Sequence, residues 1–249
     1  MTSRLPSATD ARTEETADGS LTLGWNSSHV TYRSRYGAWT EANHVFVQGT
    51  NALEVSRPHI FEFGLGAATN FFATLQAFAT HPSLTILNYD TLESSPLRLD
   101  TFAELIASYP VVSEAKTNGL QAIRTALESA KPVEFELLPG KTVRLVLHQR
   151  EGLPELTESS FTSIYFDPFG PKDNPEAWTS PVFEALAQAM TSTARLATYA
   201  AASEPRRHMK NAGLYVARRP GAGGKREMTI ASKSLASLQE LTIWPKKLK

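Results

Sequence analysis

The feature that most constrains the fold of this sequence is a short apolar run that ends in a glycine-rich turn. Residues 60–63 read Ile-Phe-Glu-Phe, which is typical of a buried strand, and Gly64-Leu65-Gly66 follows at once. The next residues have helical spacing (Asn70, Phe71, Phe72, Leu75, Phe78). A strand, a glycine turn and a helix form the first unit of a nucleotide-binding α/β fold, because glycines let the backbone approach a ligand beside free N–H groups. Many ordinary strand-to-helix turns also carry two glycines.

Length and composition narrow the class of protein. A chain of 249 residues with 41% apolar side chains suits one large α/β domain. The absence of cysteine excludes disulfides, thiolate zinc sites and a catalytic thiol. Scattered histidines predict no metal site. Residues 1–18 are polar and aperiodic, which predicts a disordered tail. With neither a signal peptide nor a membrane-spanning run in sight, we expect a cytoplasmic protein.

The charge is unevenly distributed, although the formal net charge is zero. From residue 195 to the end, twelve Lys or Arg oppose three acids, so this segment carries +9 and the remainder −9. Such asymmetry favours an anionic partner that docks on one side of the protein. Uneven placement of solvated surface charge would give the same count.

The segment 19–50 predicts a hairpin followed by a helix. Residues 18–23 read as a turn and a strand, and a second strand near residues 29–32 would complete the hairpin. Tyr32, Arg33 and Glu41 then lie close together in sequence, with Glu41 on the predicted helix. Such a group either covers a ligand or forms a polar lid on the core, and the residues alone favour the lid.

A carboxylate is expected beyond the second strand, which is predicted at residues 84–89. In nucleotide-binding α/β folds such a group grips ribose hydroxyls about 20 to 30 residues after the glycines. Glu93 lies 29 positions after Gly64 and fits this spacing, with Asp90 as the substitute. A carboxylate at the start of a helix is the alternative interpretation of Glu93.

A proline-rich loop after a later strand is the second informative stretch. Two helices within about residues 97–130 predict a helical insertion, and strands follow at 135–138 and 143–147. The run Ile-Tyr-Phe then delivers Asp167 to the carboxyl edge of the sheet, where ligands bind in open α/β folds. Three prolines stiffen the loop that follows, and Asn174 and Trp178 are predicted to shape the rim of a pocket. The plainer interpretation is that Asp167 caps a turn.

The remaining elements complete the predicted fold. A helix at 181–190, a strand at 195–199 and a basic helix at 206–211 precede a hairpin at 214–218 and 227–232. This order predicts a Rossmann-like α/β domain over residues 51–249. Its sheet is expected to have seven mostly parallel strands, closed by an antiparallel hairpin, with helices on both faces.

Four motifs together resemble the tRNA 5-methylaminomethyl-2-thiouridine methyltransferases, the MnmD-type proteins equivalent to the methyltransferase half of MnmC. They are Asp18-Gly-Ser-Leu-Thr-Leu with Tyr32-Arg-Ser-Arg-Tyr-Gly-Ala, Glu41 and His44-Val-Phe; Glu62-x-Gly-x-Gly with Asn70-Phe; Asp167-x-Phe-x-Pro-x-x-Asn-Pro-x-x-Trp178; and Gly224-Lys-Arg-Glu-Met228. The resemblance covers nearly everything after the tail. Because no oxidoreductase half is visible, it implies the stand-alone form, with a separate oxidoreductase that supplies the aminomethyl substrate.

The resemblance implies an enzyme that uses S-adenosylmethionine to methylate the amine of 5-aminomethyl-(2-thio)uridine at the wobble position of the tRNA anticodon loop. It assigns the cofactor to Tyr32, Glu41, Glu62, Gly64, Gly66, Asn70, Glu93 and Asp167. Asp167 is also the expected catalytic acid, which faces the acceptor amine. Substrate contacts are expected from Phe169, Asn174, Trp178, Lys225 and Arg226, with Phe169 and Trp178 stacked on the flipped uracil.

Two positions depart from the family pattern. Ala68 stands where the family usually has a third glycine, and residues 148–152 replace the usual Gly-Asp-Ala, whose acid holds the adenine amino group. The change to Ala68 is small and keeps the predicted turn plausible, whereas the loss of the acid from the loop makes cofactor affinity the least supported part of the resemblance. Two alternatives therefore stay open: a methyltransferase of a small-molecule or protein amine, and a non-catalytic RNA-binding remnant of the fold.

Overall fold

The computed structural model of the chain describes residues 11–25 and 31–244, and a nine-stranded sheet forms its centre. The strands are β1 (Ala11–Glu15), β2 (Leu21–Trp25), β3 (His59–Phe63), β4 (Ile86–Glu93), β5 (Val133–Leu138), β6 (Lys141–Gln149), β7 (Phe161–Phe166), β8 (Met190–Thr198), β9 (Tyr215–Arg219), β10 (Met228–Ser232) and β11 (Thr242–Ile243). The helices are α1 (Ala38–Glu41), continued by a π-helical segment (Ala42–Val47), α2 (Thr69–Thr80), α3 (Leu99–Ala107), α4 (Ser113–Ser129), α5 (Ser180–Ala189) and α6 (Ser203–Asn211). Short 3-10 helices cover Pro175–Trp178 and Ala236–Leu238.

The sheet has the strand order β11-β9-β10-β8-β7-β3-β4-β6-β5. Its five inner strands, from β8 to β6, are parallel, and antiparallel strands flank them on both sides. This arrangement confirms the predicted Rossmann-like fold and its closing hairpin, β9 and β10. The predicted count of seven strands is wrong, because β5 folds back along β6 at one edge and the two-residue β11 extends the other edge.

The sheet separates two hydrophobic cores, and β3 contributes to both. Ile60 packs into the core under α2, α3 and α4, whereas Phe61 and Phe63 point into the core under α5 and α6. Alternation along a strand with both faces covered explains why its sequence is almost continuously apolar. Because the inner strands are parallel, their carboxyl ends share one edge, where Gly64, Glu93 and Asp167 follow or end β3, β4 and β7.

The N-terminal region is more ordered than its composition predicts. Residues 11–15 form strand β1, although residues 1–18 were expected to be disordered; residues 1–10 lie outside the described part of the chain. Full antiparallel pairing with β2 satisfies the backbone, and Thr13 Oγ1 donates a hydrogen bond to Glu104 on α3 at 2.8 Å. Such backbone-driven pairing of a polar strand leaves no apolar pattern in the sequence.

The predicted N-terminal hairpin has a different partner strand. The main partner of β2 is β1, not the segment 29–32. Of that segment, His29 and Val30 lie outside the described residues, while Tyr32 N donates to Leu23 O at 2.8 Å. The chain therefore returns alongside β2 without forming a full strand, and this return places residues 32 and 33 against the main sheet.

The helices within the segment 97–130 lie where they were predicted, as α3 and α4. Their apolar faces, including Phe102 and Ile123, pack into the core under α2. Within residues 11–25 and 31–244, no helix combines the length and apolar character needed to cross a membrane.

Candidate active site

The glycine turn after β3 forms the floor of the candidate site. Gly64 and Gly66 have positive φ angles of 94° and 51°, a region in which side chains other than glycine are strained. A Cβ on Gly64 would lie 3.2 Å from the carbonyl oxygen of Asp167, so the ends of β3 and β7 approach closely only because this residue is glycine. Ala68 adopts φ 57° immediately before α2, which is the conformation that the missing third glycine would favour.

Two buried carboxyl groups meet at one amide beside this turn. The Asn70 side-chain nitrogen donates to Glu62 Oε1 at 3.0 Å and to Asp167 Oδ2 at 2.8 Å. Thr91 Oγ1 donates to the other oxygen of Glu62 at 3.0 Å. The Arg33 guanidinium forms an ion pair with Asp167, and both side chains are at most 5% exposed. Asn70 therefore links β3, α2 and the end of β7 in one polar cluster.

The surroundings of these two acids favour their protonated forms. Burial raises the pKa of Glu62 to about 8, against the opposing effects of Arg33 and of the hydrogen bonds from Asn70 and Thr91. Burial likewise raises the pKa of Asp167 to about 7, and Arg33 limits this rise. Carboxyl groups with such pKa values lie near the protonation equilibrium at neutral pH, as is common at catalytic sites.

A pH-dependent stability follows from the raised pKa of Glu62. Between the ordinary carboxyl pKa and about pH 8, the folded protein holds a proton that the unfolded chain has lost, so stability falls as the pH rises through this window. The substitution Glu62→Gln removes one titrating group and is expected to flatten the fall. The remaining slope comes from groups such as Asp167.

Chemical denaturation at a series of pH values from about 5 to about 9 measures how the slope of stability against pH differs between the two proteins. This range includes the raised pKa values of Glu62 and Asp167. Glu184→Gln is the matched control, because Glu184 is exposed on α5. Equal slopes for Glu62→Gln and the wild-type protein would contradict the assignment of a raised pKa to Glu62.

A second ion pair closes the site from the opposite side. Lys225 Nζ, in the loop before β10, lies 2.5 Å from Glu41 Oε2 and 5.3 Å from the ring centre of Tyr199. The same loop contacts the N-terminal region through the hydrogen bond between His44 Nε2 and Pro220 O, at 2.7 Å. The helix that begins with α1 is thereby held against the loop of residues 220–227, next to Asp167.

Three aromatic rings lie above the glycine turn. Tyr32 stacks on Trp25 with 5.2 Å between ring centres and meets Phe169 edge-on at 5.2 Å. A Cβ on Gly66 would lie 3.2 Å from Tyr32 Cδ1, so the tyrosine ring covers this glycine directly. Tyr32 thus lies over the glycine turn and at the same time packs against the hydrophobic core, so its position is compatible with both interpretations made from the sequence.

Glu93 lies at the glycine turn, whereas its predicted substitute Asp90 does not. Gly66 N and Ser95 N donate to the two carboxylate oxygens of Glu93, each at 2.8 Å. Asp90 instead accepts a hydrogen bond from His59 at 3.1 Å and lies within the strand β4. Residues three apart on a strand point to opposite faces, so only one of these two acids can reach the turn.

Two residues predicted at the rim of the pocket have structural contacts instead. Trp178 is 4% exposed, packs against Phe166, and donates its indole N–H to Phe169 O at 2.8 Å. Asn174 caps the 3-10 helix by accepting from Ala177 N at 3.3 Å. Trp178 therefore has little surface left on which a base could stack, and both residues fix the shape of the loop that carries Phe169. Burial of the loop's tryptophan in the core under α5 could not be seen from its sequence.

A cleft of about 540 Å³ opens next to the cluster. It is lined by Tyr199, Ala201, Arg218, Lys225, Arg226 and Glu227. Lys225 and Tyr199 connect this basic cleft to Asp167, whose charge raises the pKa of Tyr199 in addition to the larger effect of burial. A larger cleft of about 880 Å³ contains Asn51, His81 and Arg195 but none of the clustered acids, and so offers no comparable chemistry.

The sequence-based interpretation missed three residues of the site. Arg33 was noted only as part of the N-terminal group, and Trp25 and Tyr199 were not considered. Tyr199 follows β8 at the same carboxyl edge as Asp167, so the rule that ligands bind at this edge could have identified it. Arg33 and Trp25 carry no such signal, because their positions depend on how residues 31–33 return alongside β2.

A parallel sheet with a glycine turn at its switch point, an acid beyond the second strand and a closing antiparallel hairpin defines the class of Rossmann-like methyltransferases. A family model described as S-adenosyl-L-methionine-dependent methyltransferase matches residues 113–234. Over these residues the chain is similar to the S-adenosyl-L-methionine-dependent methyltransferases.

Comparisons with curated proteins confirm the more specific resemblance. The chain is 35% identical over 217 residues to the tRNA 5-methylaminomethyl-2-thiouridine biosynthesis bifunctional protein MnmC of Cupriavidus necator, covering 81% of this chain and 31% of that protein. It is 33% identical to the protein of the same name from Azoarcus sp. strain BH72, covering 79% of this chain and 32% of the relative. The chain thus spans about a third of the length of these relatives.

Solved structures show the same fold. The crystal structure of MNMC2 from Aquifex aeolicus superposes with a TM-score of 0.66 at 20% identity, over 95% of this chain and 79% of that one. Spermidine synthase from Thermotoga maritima gives a TM-score of 0.52 at 10% identity, over 93% and 72% of the two chains.

The residues of the cluster fit S-adenosylmethionine. The Asn70 side-chain nitrogen donates to the two acids, whereas its Oδ1 is buried without a hydrogen-bond partner. This oxygen is therefore free to accept a hydrogen bond from an ammonium group. Among the described residues, Arg33 and Lys225 are the cations beside Glu41, Glu62 and Asp167. Burial, and to a smaller extent the charge of a neighbouring acid, raises the pKa values of Glu62 and Asp167. A cationic sulfonium and ammonium would stabilise the ionised acids.

Proposed function

We propose that this methyltransferase acts on the amine of 5-aminomethyl-(2-thio)uridine at the tRNA wobble position and forms the 5-methylaminomethyl derivative. The observation that carries the proposal is the position of Asp167, which directly follows β7, lies against the glycine turn and shares the amide of Asn70 with Glu62. An acid at this point is adjacent to any methyl group held at the turn. The names of the MnmC relatives support the choice of substrate.

The proposed cofactor contacts follow the geometry of the turn. Glu62, Asn70 and the two glycines would hold the methionine portion, with the unpartnered Asn70 oxygen accepting from its ammonium group. Glu93 would accept from the ribose hydroxyls through lone pairs that the two backbone N–H groups leave free. Tyr32 and Glu41 would cover the bound molecule, as parts of the N-terminal hairpin and helix that the sequence predicts over residues 19–50.

The protein's main task in the reaction is to orient the acceptor amine. When bound, S-adenosylmethionine supplies an already activated methyl group. The nitrogen lone pair forms the new N–C bond, and the pair of the broken C–S bond stays on sulfur. Asp167 accepts a hydrogen bond from the amine and turns the lone pair toward the methyl, and such alignment removes much of the barrier. The extra proton on the product nitrogen then passes to solvent.

Phe169 is the proposed stacking surface for the flipped uracil. Its ring is partly exposed and meets Tyr32 at 5.2 Å beside the glycine turn. Trp178 and Asn174 support this ring indirectly, through the carbonyl of Phe169 and the 3-10 helix. Because the anticodon loop is single-stranded, moving the base out of its stack is comparatively easy.

The basic cleft is the proposed path of the RNA backbone. Arg226 is exposed, and Lys225 lies between this cleft and Asp167. Phosphate contacts of this kind give binding that weakens as salt increases, because each contact releases condensed counterions. A tRNA substrate also implies a cytoplasmic enzyme, and a separate oxidoreductase is the proposed source of the aminomethyl group.

The substitution Arg226→Ala tests whether the RNA backbone follows the basic cleft. It is expected to weaken tRNA binding and to reduce the slope of log K against log salt by about 0.7, the value for one contact to a single strand. Filter binding at several salt concentrations measures both quantities. Lys131→Ala, which removes an exposed cation outside the basic segment 195–249, serves as the control and should leave the slope unchanged. An unchanged slope in Arg226→Ala as well would exclude Arg226 from the contact.

The proposed acceptor is tested by comparing substrates. Label from S-adenosylmethionine should enter tRNA that carries 5-aminomethyluridine, and not the same tRNA with an unmodified wobble uridine. Transfer only to small amines or to protein would replace the proposed substrate. Binding of tRNA with no transfer to any acceptor would indicate a non-catalytic RNA-binding protein.

A further inference from the structure

Arg33 occupies an unusual position for an arginine in the segment that covers the site. Its guanidinium is 3% exposed, pairs with Asp167 and lies 5.7 Å from the ring centre of Phe46. The backbone holds it there, because Arg33 N donates to Thr22 Oγ1 at 3.0 Å. Arg33 is thus fixed by β2 and reaches into the site from outside the main sheet.

Charged and titratable groups surround Asp167 from several elements. Glu62 comes from β3, Glu41 from α1, Tyr199 from the end of β8 and Lys225 from the loop before β10, while Asn70 of α2 contributes a neutral amide. Lys225 is already engaged by Glu41 at 2.5 Å. Arg33 is therefore the cation in direct contact with Asp167 among the residues that the structure describes.

The charge of Arg33 beside Asp167 matters because, in the proposed reaction, Asp167 faces the acceptor amine. An ionised carboxylate alone would bind an alkylamine as its ammonium form, since the resting pKa of such an amine is about 10. An ammonium has no lone pair and cannot attack a methyl group. A fixed positive charge beside the carboxylate disfavours a proton on either partner of the acid–amine pair.

We propose that Arg33 is a positioning residue whose fixed positive charge favours the ionised form of Asp167 and, acting on the acceptor amine in the same way, favours its neutral, nucleophilic form over the ammonium form. The proton of the incoming ammonium passes to solvent before attack. This inference rests on the proposed function for the identity of the acceptor. The direct effect of Arg33 on Asp167 does not depend on the acceptor.

The pH dependence of kcat, measured with saturating tRNA and S-adenosylmethionine, tests the inference. For the wild-type enzyme, kcat is expected to rise with pH to a plateau. In Arg33→Gln the rising limb should move upward by about one to two pH units, which lowers kcat about 10- to 100-fold at pH values on that limb and restores it at high pH. Arg33→Lys keeps the charge and should lie near the wild-type profile. Arg35→Gln is the matched control, because Arg35 lies two residues away and pairs with Glu14.

A second readout needs no substrate. Carbon NMR of aspartate carboxyl groups, with Asp167 assigned by its loss in Asp167→Asn, should show Asp167 titrating at higher pH in Arg33→Gln than in the wild-type protein. If Arg33→Gln does not fold, Arg33→His replaces it, because its imidazole loses its charge near neutral pH and the same upward shift is expected.

The results distinguish a failure of the inference about Arg33 from a failure of the proposed function. A uniform loss of kcat at every pH, with an unmoved Asp167 titration, would reduce Arg33 to a structural role and overturn the inference. A wild-type enzyme that transfers nothing to the aminomethylated tRNA would overturn the proposed function instead. The NMR titration then still decides for or against the control of Asp167 by Arg33.

Discussion

Asp167→Asn is expected to lower methyl transfer by about 100- to 10,000-fold while the protein keeps its fold and its affinity for S-adenosylmethionine. The amide has nearly the same shape, and its oxygen can still accept from both Asn70 and Arg33, so the cluster keeps these hydrogen bonds although Arg33 loses its ion pair. It cannot provide the negative charge that attracts and orients the acceptor amine. The loss should therefore appear in kcat with saturating cofactor, and not in cofactor binding.

Single-turnover transfer and calorimetric binding of the cofactor measure these two properties separately. Asp173→Asn is the matched control, since Asp173 lies in the same loop six residues further on and does not contact Asn70 or Arg33 in the structure. Wild-type transfer by Asp167→Asn would remove Asp167 from the mechanism. Equal loss in both variants would show that the loop, and not the acid, is sensitive.

Gly64→Ala is expected to weaken binding of S-adenosylhomocysteine about 10- to 100-fold, which corresponds to roughly 1.4–2.8 kcal/mol. Two effects add. A left-handed φ costs an alanine about 1–2 kcal/mol, and the new Cβ would lie 3.2 Å from the Asp167 carbonyl oxygen, which is backbone and cannot easily move. Relief of both strains would push apart the ends of β3 and β7, where we propose that the cofactor binds.

Gly140→Ala is the control that separates backbone strain from the steric clash that a side chain on residue 64 would cause. Gly140 has φ 77° in the turn between β5 and β6, and a Cβ there would meet nothing within 4 Å. Both variants should therefore lose stability in thermal unfolding, but only Gly64→Ala should lose affinity in calorimetry. Undiminished affinity in folded Gly64→Ala would contradict the placement of the cofactor at this turn.

Local patterns in the sequence predicted most of the fold. The apolar run of β3, the glycines and the helical spacing of Phe71 and Leu75 depend on neighbours a few residues away, and the structure has each element where it was expected. The edges of the sheet were predicted less well. Strands β1 and β11 are short and polar or exposed, and they form because a neighbouring strand offers unpaired backbone groups.

The site was predictable where residues end strands and unpredictable where they depend on long-range packing. The carboxyl-edge rule placed Glu93 and Asp167 beside the glycine turn. It gave no information on Trp178, whose ring turns into the core, or on Arg33, which reaches Asp167 across 134 positions of the sequence. The two departures from the family pattern remain open to experiment, although Ala68 adopts the backbone conformation that a glycine would have there.

The mass of the wobble nucleoside shows whether the protein methylates the amine of 5-aminomethyluridine. Transfer RNA that carries 5-aminomethyluridine is incubated with the protein and S-adenosylmethionine, digested to nucleosides and analysed by mass spectrometry. We expect 5-aminomethyluridine to be replaced by a nucleoside heavier by one CH₂ unit, and we expect Asp167→Asn to prevent this change. An unchanged wobble nucleoside, from a protein that demonstrably binds S-adenosylmethionine, would contradict the proposed substrate.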